Sequence, residues 1–260
     1  MQHILNDFDA DRNALVEPWY IAKPIPGFPE IAVTTFSADV IGAFSALDGV
    51  KQISEFRSGN GVVPVYEMEY AGQPIAFYMS KVGAPACLMQ FEEIIAKGSR
   101  TVVMFGKCGA LDQELAEGHF IIPTAAVRDE GASCHYIPAS PEIEVDPASI
   151  EVLTATMDQM GYSWVKGKTW TLDAPYRETA KKAALRKSQG CIAVDMECAA
   201  MLAVAKFREI KFAQFFDAAD NLDAPDWDPR HLFSRSFDFS HRERYMLVAL
   251  EAAVNLHQRA

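Results

Sequence analysis

The segment from Lys211 to Ala219, KFAQFFDAA, is nearly continuous in apolar residues. A run with so little alternation suits a strand covered on both faces, which requires a sheet lying between layers of helices. The rest of the chain supplies such partners. After the proline-rich Pro24-Ile25-Pro26-Gly27, Ile31 to Thr35 reads as a short strand and Ala38 to Leu47 as a helix. Val62 to Tyr70 and Pro74 to Ser80 flank Ala71-Gly72-Gln73 as the arms of a hairpin, and Pro85 opens a helix that Gly98 stops. Thr101 to Phe105 is a compact strand ending at Gly106, and His119 to Thr124 is another, introduced by Gly118 and closed by Pro123. Asp146 precedes a helix from Pro147 to Met160, followed by a strand from Trp164 to Thr171 and helices at Glu178 to Ser188, Met196 to Phe207 and Arg242 to His257. This order predicts an α/β fold, a three-layer α/β/α sandwich around a central mixed β-sheet, in a single domain spanning residues 1–260.

Composition narrows the partners. A formal net charge of −11 argues against a nucleic-acid surface or adhesion to anionic lipid, both of which need clustered Lys and Arg, and favours a small molecule. The five cysteines are scattered, without zinc or redox spacing, as in reduced cytosolic proteins. Met1 to Tyr20 has neither the apolar core of a signal peptide nor a membrane span, so the expectation is a soluble cytoplasmic protein.

In open α/β sheets ligands gather beyond the carboxyl ends of strands, which singles out Lys81, Lys107, Asp173 with Arg177, and Asp220. Ser80 to Ala86 is a small-residue turn opening a helix; it reads either as an anion site at Gly83 or as an ordinary tight connection. Gly106-Lys107-Cys108-Gly109 reads either as a backbone that approaches a ligand or as a glycine-rich turn with a solvated lysine. Cys108 has no histidine near it in sequence and is read as a packed thiol. Asp195 and Glu197 fall in the first turn of a predicted helix, where the dipole favours carboxylates. Arg128-Asp129-Glu130 is read as local ion pairing in a loop, and Asp217 as paired in the interior or facing a cavity.

Several of these stretches, in the same order, resemble the nucleoside phosphorylase superfamily: Phe105 to Leu111, Gly118 to Pro123, Val127 to Tyr136, Val194 to Ala200 and Ala218 to Asn221. The resemblance implies a phosphorylase-like fold and an enzyme, a pentosyltransferase that splits the N-glycosidic bond of a nucleoside. Glu197 would then hold the ribose hydroxyls, Met196 would pack on the sugar, and Asp220 would donate a proton to a purine nitrogen. By the same analogy Tyr176, Arg177 and Asp173 fall in the base-pocket region. The passage near Arg128 is closer to uridine phosphorylases, whereas Asp220 favours purines. Two arginine positions depart from the family: Asp39 and Met104 stand there, leaving Lys81, Lys107, Gly83, Gly106 and Arg57 as phosphate-binding candidates. That departure keeps two alternatives open, a nucleosidase that uses water and a nucleoside-binding protein without turnover. Phosphate is expected as cosubstrate, with no cofactor and no metal, and a homo-oligomer (dimer or hexamer) is implied. His3 matches too poorly to be assigned a role.

Overall fold

The computed structural model describes residues 4–113, 115, 119–224, 226–230, 232 and 239–259, without the side chains of 239–242; His3 and Gly118 lie outside the described residues. In chain order, α1 (Pro18–Ile21) is followed by β1 (Ile31–Thr35), α2 (Ala38–Ser45), the antiparallel strands β2 (Lys51–Ser58), β3 (Gly61–Tyr70) and β4 (Gln73–Met79), and α3 (Ala84–Lys97). Then come β5 (Thr101–Ala110), β6 (Phe120–Asp129), β7 (Glu142–Glu144), α4 (Pro147–Gln159), β8 (Trp164–Leu172), α5 (Ala180–Ser188), β9 (Cys191–Asp195), α6 (Cys198–Arg208), β10 (Lys211–Asn221) and α7 (Phe239–Gln258).

All the strands belong to one mixed sheet, in which β5 pairs with β1 and β10 in parallel and with β9 antiparallel. Because β10 also pairs with β6, β6 with β8 and β8 with β9, five strands close into a ring from which β1, β4, β3 and β2 fan out. The period-two alternation of the strands sorts the core into two halves. Ala32, Tyr78, Val102, Met104, Phe212 and Phe216 pack with α3 and α6, whereas Val33, Phe77, Val103, Phe105 and Phe215 pack with α2, α4 and α7. The expected three layers follow from this segregation. Helix ends carry local reasons: Asp146, Thr179 and Ser37 each accept an amide of the first turn behind them.

Four sequence readings change. Gly106 does not end β5, which runs to Ala110, because glycines at 106 and 109 let neighbouring side chains close over a continuing strand. Likewise β6 continues through Pro123, sited where its register with β8 shifts, so Arg128 and Asp129 lie in a strand and not in a loop. The short strand β9 was not anticipated, and it places Asp195 at a strand end. Glu197 therefore stands at the N-cap position of α6, outside its first turn. Among the described residues, no helix is long and apolar enough to cross a membrane.

Phe215 is fully buried, stacks on Phe105 at 5.6 Å between ring centres and meets Phe120 edge-on at 5.4 Å. Phe215→Ala is expected to cost about 3–5 kcal/mol, read from the urea midpoint at unchanged m-value. A loss below about 1 kcal/mol would mean that this aromatic layer does not carry the core.

Candidate active site

Strand β1 leaves β5 after the pair Thr35–Phe105, and β9 joins only at Gly109. Between those pairings the same side of Gly106, Lys107 and Cys108 has no neighbouring strand, and there the sheet opens at the carboxyl ends of β1 and β5. A cavity of about 970 Å³ occupies the opening. That volume lies at the upper end of small-molecule sites, roughly 300–1,000 Å³. Its wall includes residues 35–40, residues 105–109, residues 194–197, Tyr176, Glu178, Asp217, Asp220, Trp227 and Tyr245.

Glu197 and Asp220, far apart in sequence, face this one cavity. Glu197 is 6% exposed, and its Oε1 accepts the Gly83 amide at 2.6 Å. Gly83, with φ of +96°, holds a backbone conformation that a side chain would strain, and so presents its N–H to Glu197 at the mouth of α3. The amide of this turn is thus engaged by a carboxylate of the chain itself, and Gly83 does not line the cavity. Burial pushes Glu197 up to about 7, against the pull of the Gly83 and Met196 amides. Asp195 takes over the capping: its carboxylate accepts from Cys198 N at 3.1 Å and from Thr171 Oγ1 at 2.6 Å, while Thr171 Oγ1 accepts from Ala199 N at 3.1 Å. With α6 capped from β8 and β9, the Glu197 side chain is left to the cavity.

Asp220 owes its direction to a bulge. The β10–β5 register shifts between Ala218 and Asp220, so both Ala219 and Asp220 face the cavity. A Cβ at Gly109 would collide with Leu222 Cδ1 and stand 2.8 Å from Val194 Cγ1 and 3.3 Å from Asp220 Oδ1, so the glycine is required for these side chains to close in. Burial raises the Asp220 carboxyl, and the indole N–H of Trp227, 2.9 Å from Oδ2, pulls it back.

At Gly106 the space that a side chain would fill is taken by the Phe36 ring, 2.7 Å from the Cβ position. The glycine admits Phe36 and itself lines the cavity. Lys107 lines the cavity and is its only basic lining side chain among the described residues. Lys81 does not line it: its ammonium donates to Ser58 Oγ at 2.8 Å. Arg57 pairs with Glu55 in β2, and Asp173 accepts the Gly131 amide at 3.1 Å; neither they nor Arg177 line the cavity, although Tyr176 and Met196 do. Asp39 and Asp217 are in the wall. Cys108 is a buried thiol that burial and the carboxylates of Asp217, Asp195 and Asp220 push well up, as a packed thiol should be. Trp227 and Glu178 are wall residues that the sequence reading left out; a lone tryptophan in the acidic stretch from Asp223 to Asp228 was the available signal for the first. No group of side chains suited to a metal ion occurs among the described residues.

The profile of the phosphorylase superfamily matches residues 30–244. The chain is 26% identical over 173 residues to a guanosine phosphorylase of Halorubrum lacusprofundi, covering 65% of this chain and 70% of that one. It is 33% identical over 126 residues to a uridine phosphorylase of Thermococcus kodakarensis, covering 47% of this chain and 42% of that protein's length. Among solved structures, the purine nucleoside phosphorylase of Toxoplasma gondii in complex with immucillin-H has the same fold, with a TM-score of 0.75, 19% identity, and coverage of 89% and 93%.

Trp227→Phe keeps the ring and removes the donor to Asp220. The Asp220 carboxyl should then titrate at higher pH than in the parent protein, as read from its carbon-13 resonance. An unchanged or lower midpoint would mean that the indole does not govern this acid.

Proposed function

This chain belongs to the phosphorylase superfamily, and from that premise we propose that it cleaves the N-glycosidic bond of a purine ribonucleoside with inorganic phosphate, releasing free base and ribose 1-phosphate. The observation that carries the reading is the convergence of Glu197 and Asp220 on one cavity, with Met196 beside the first and Tyr176 and Trp227 in the same wall. As the glycosidic bond stretches, the sugar becomes oxocarbenium-like and negative charge collects on the departing base. An Asp220 whose proton is retained above the ordinary aspartate range donates it to a purine ring nitrogen. Glu197, anchored through Oε1 by Gly83, offers its remaining acceptor capacity to the ribose hydroxyls. Tyr176 is fully exposed at the rim and Trp227 half-exposed, two rings suited to flank a base. Phosphate would lie toward Lys107 and the ends of β1 and β5.

A second reading, hydrolysis, is favoured by one observation. Asp39, Glu178, Asp195, Glu197, Asp217 and Asp220 line the cavity against Lys107 alone among the described basic side chains. A phosphate dianion entering so acidic a wall meets repulsion that water does not. Homo-oligomers belong to the proposal too, supported by exposed Trp19, Tyr20 and Ile21 on α1 and Met89 on the adjoining α3.

A nucleoside panel incubated with and without phosphate, with chromatography of the sugar product, tests both. Phosphate-dependent release of base with ribose 1-phosphate is expected; equal rates without phosphate and accumulation of free ribose would replace phosphorolysis by hydrolysis. Asp220→Asn should lower kcat on purine nucleosides by roughly a hundredfold to ten-thousandfold, and parental turnover in that variant would remove Asp220 as the acid.

A further inference from the structure

A second cavity, of about 430 Å³, lies among β6, β7, β8 and the end of α5, and it shares no wall residue with the first. Its polar side chains are those of Arg128, Glu142, Lys168, Arg186 and Gln189. Three cations thus face one carboxylate, the reverse of the first cavity, in a chain whose formal net charge is −11.

The carboxylate is committed to one of the three: both Glu142 oxygens accept from Lys168 Nζ, at 2.9 and 2.7 Å, and Glu144 adds its charge there. Arg128 has neutral acceptors only. Its Nε donates to Ser133 Oγ at 2.8 Å and its terminal nitrogens to Ser140 Oγ, Cys134 Sγ and the carbonyls of Ile137 and Pro138, so Glu130 reaches it only through Ser133. Asp129 faces α5 instead, where its Oδ2 accepts from Trp170 Nε1 at 3.0 Å, Lys182 Nζ at 2.9 Å and the Arg186 guanidinium at 3.4 Å. Arg186 has the longest of these bonds, and its buried Nε has no acceptor among the described residues. The guanidinium is nevertheless fixed, donating to Gln189 Oε1 at 2.9 Å and lying 5.7 Å over the Trp170 ring. Two positive charges therefore border the cavity without a full counter-charge, on side chains already held in place. The Gln189 amide nitrogen, with no acceptor of its own among the described residues, adds donors.

We propose that this second cavity binds a phosphate group, free or carried by a small phosphomonoester. Arg186, Lys168 and Gln189 donate to its oxygens, and Arg128 adds charge. A phosphomonoester carries about 1.5 to 2 negative charges at neutral pH, which matches the two cations left uncompensated better than a single carboxylate does. The volume falls within the roughly 300–1,000 Å³ of small-molecule sites and admits the organic part of an ester. This site stands apart from the nucleoside-cleaving reading, whose phosphate would lie beside Lys107 in the first cavity.

The test is calorimetric titration with inorganic phosphate, ribose 5-phosphate and acetate, in phosphate-free buffer and in a Lys107→Ala background that weakens anion binding in the first cavity. The nitrogen-15 resonance of the Gln189 side chain reports which cavity is filled. Both phosphate compounds should bind and move that resonance, and the tighter of the two identifies the source of the group. Arg186→Gln should weaken binding by roughly 10- to 100-fold, and Gln189→Ala, at an exposed position, by several-fold. A Gln189 resonance that neither phosphate compound moves, or acetate bound as tightly as phosphate, would overturn the proposal. So would affinities unchanged in both variants; should Arg186→Gln also lower the urea midpoint, Gln189→Ala decides.

Discussion

Strand β5 is ten residues long, but on one side its partner changes along its length: β1 covers Thr101 to Phe105 and β9 covers Gly109 and Ala110. Neither strand reaches the three residues between. The opening exists because β5 belongs both to the open, fanned part of the sheet and to the closed five-strand ring. Strand ends that would otherwise be capped by neighbouring strands instead deliver Thr35, Asp195 and the residues that follow them to one place, as expected where a sheet changes neighbours. On its other side β5 stays paired with β10 throughout, and that pairing carries the bulge that aims Asp220.

Acid accumulation in this opening has a structural cost that the surroundings offset residue by residue. Buried carboxylates repel one another and lose hydration, which drives them toward their neutral forms. The chain answers with backbone and hydroxyl donors at Asp195, with the Gly83 amide at Glu197 and with the Trp227 indole at Asp220. Capping is thereby separated from the cavity wall within one short stretch: Asp195 and Glu197 are two residues apart, and only the side chain of the first satisfies the start of α6.

Much of this was legible in the sequence because it is local. Apolar runs located β1, β5, β8 and β10, the hairpin was marked by Ala71-Gly72, and Asp146 before Pro147 marked the start of α4. The misreadings came where local chemistry is ambiguous. A glycine suits a turn and also a strand crossed closely by another side chain, and Gly106 and Gly109 are of the second kind, which only the positions of Phe36, Leu222 and Val194 reveal. Edge strand β2, with its exposed and half-buried residues, lacks the apolar period that identified its neighbours, and β9 is a short strand whose pairing with β5 spans more than 80 residues of chain. For the site, Glu197 and Asp220 line one cavity whereas Asp173 does not, and Lys81, read as a phosphate-binding candidate, lies outside that lining and donates to Ser58, on a strand not foreseen.

The wall is also tied across elements in a way that links its two ends. Glu197 joins α6 to the turn before α3 through Gly83, while Asp220 joins β10 to the segment carrying Trp227. That segment is itself secured by a two-way backbone pairing of Asn221 with Asp228, at 2.8 and 3.2 Å, and by the Asp223 amide on Asn221 Oδ1 at 2.9 Å. Each acid assigned to chemistry is thus also a strut. A ligand that competes for either carboxylate must loosen the strut or use the lone pairs it leaves free, and only the second leaves the wall intact. For Glu197 the bond from Gly83 engages Oε1, so a donor that approaches Oε2 leaves the link to α3 in place.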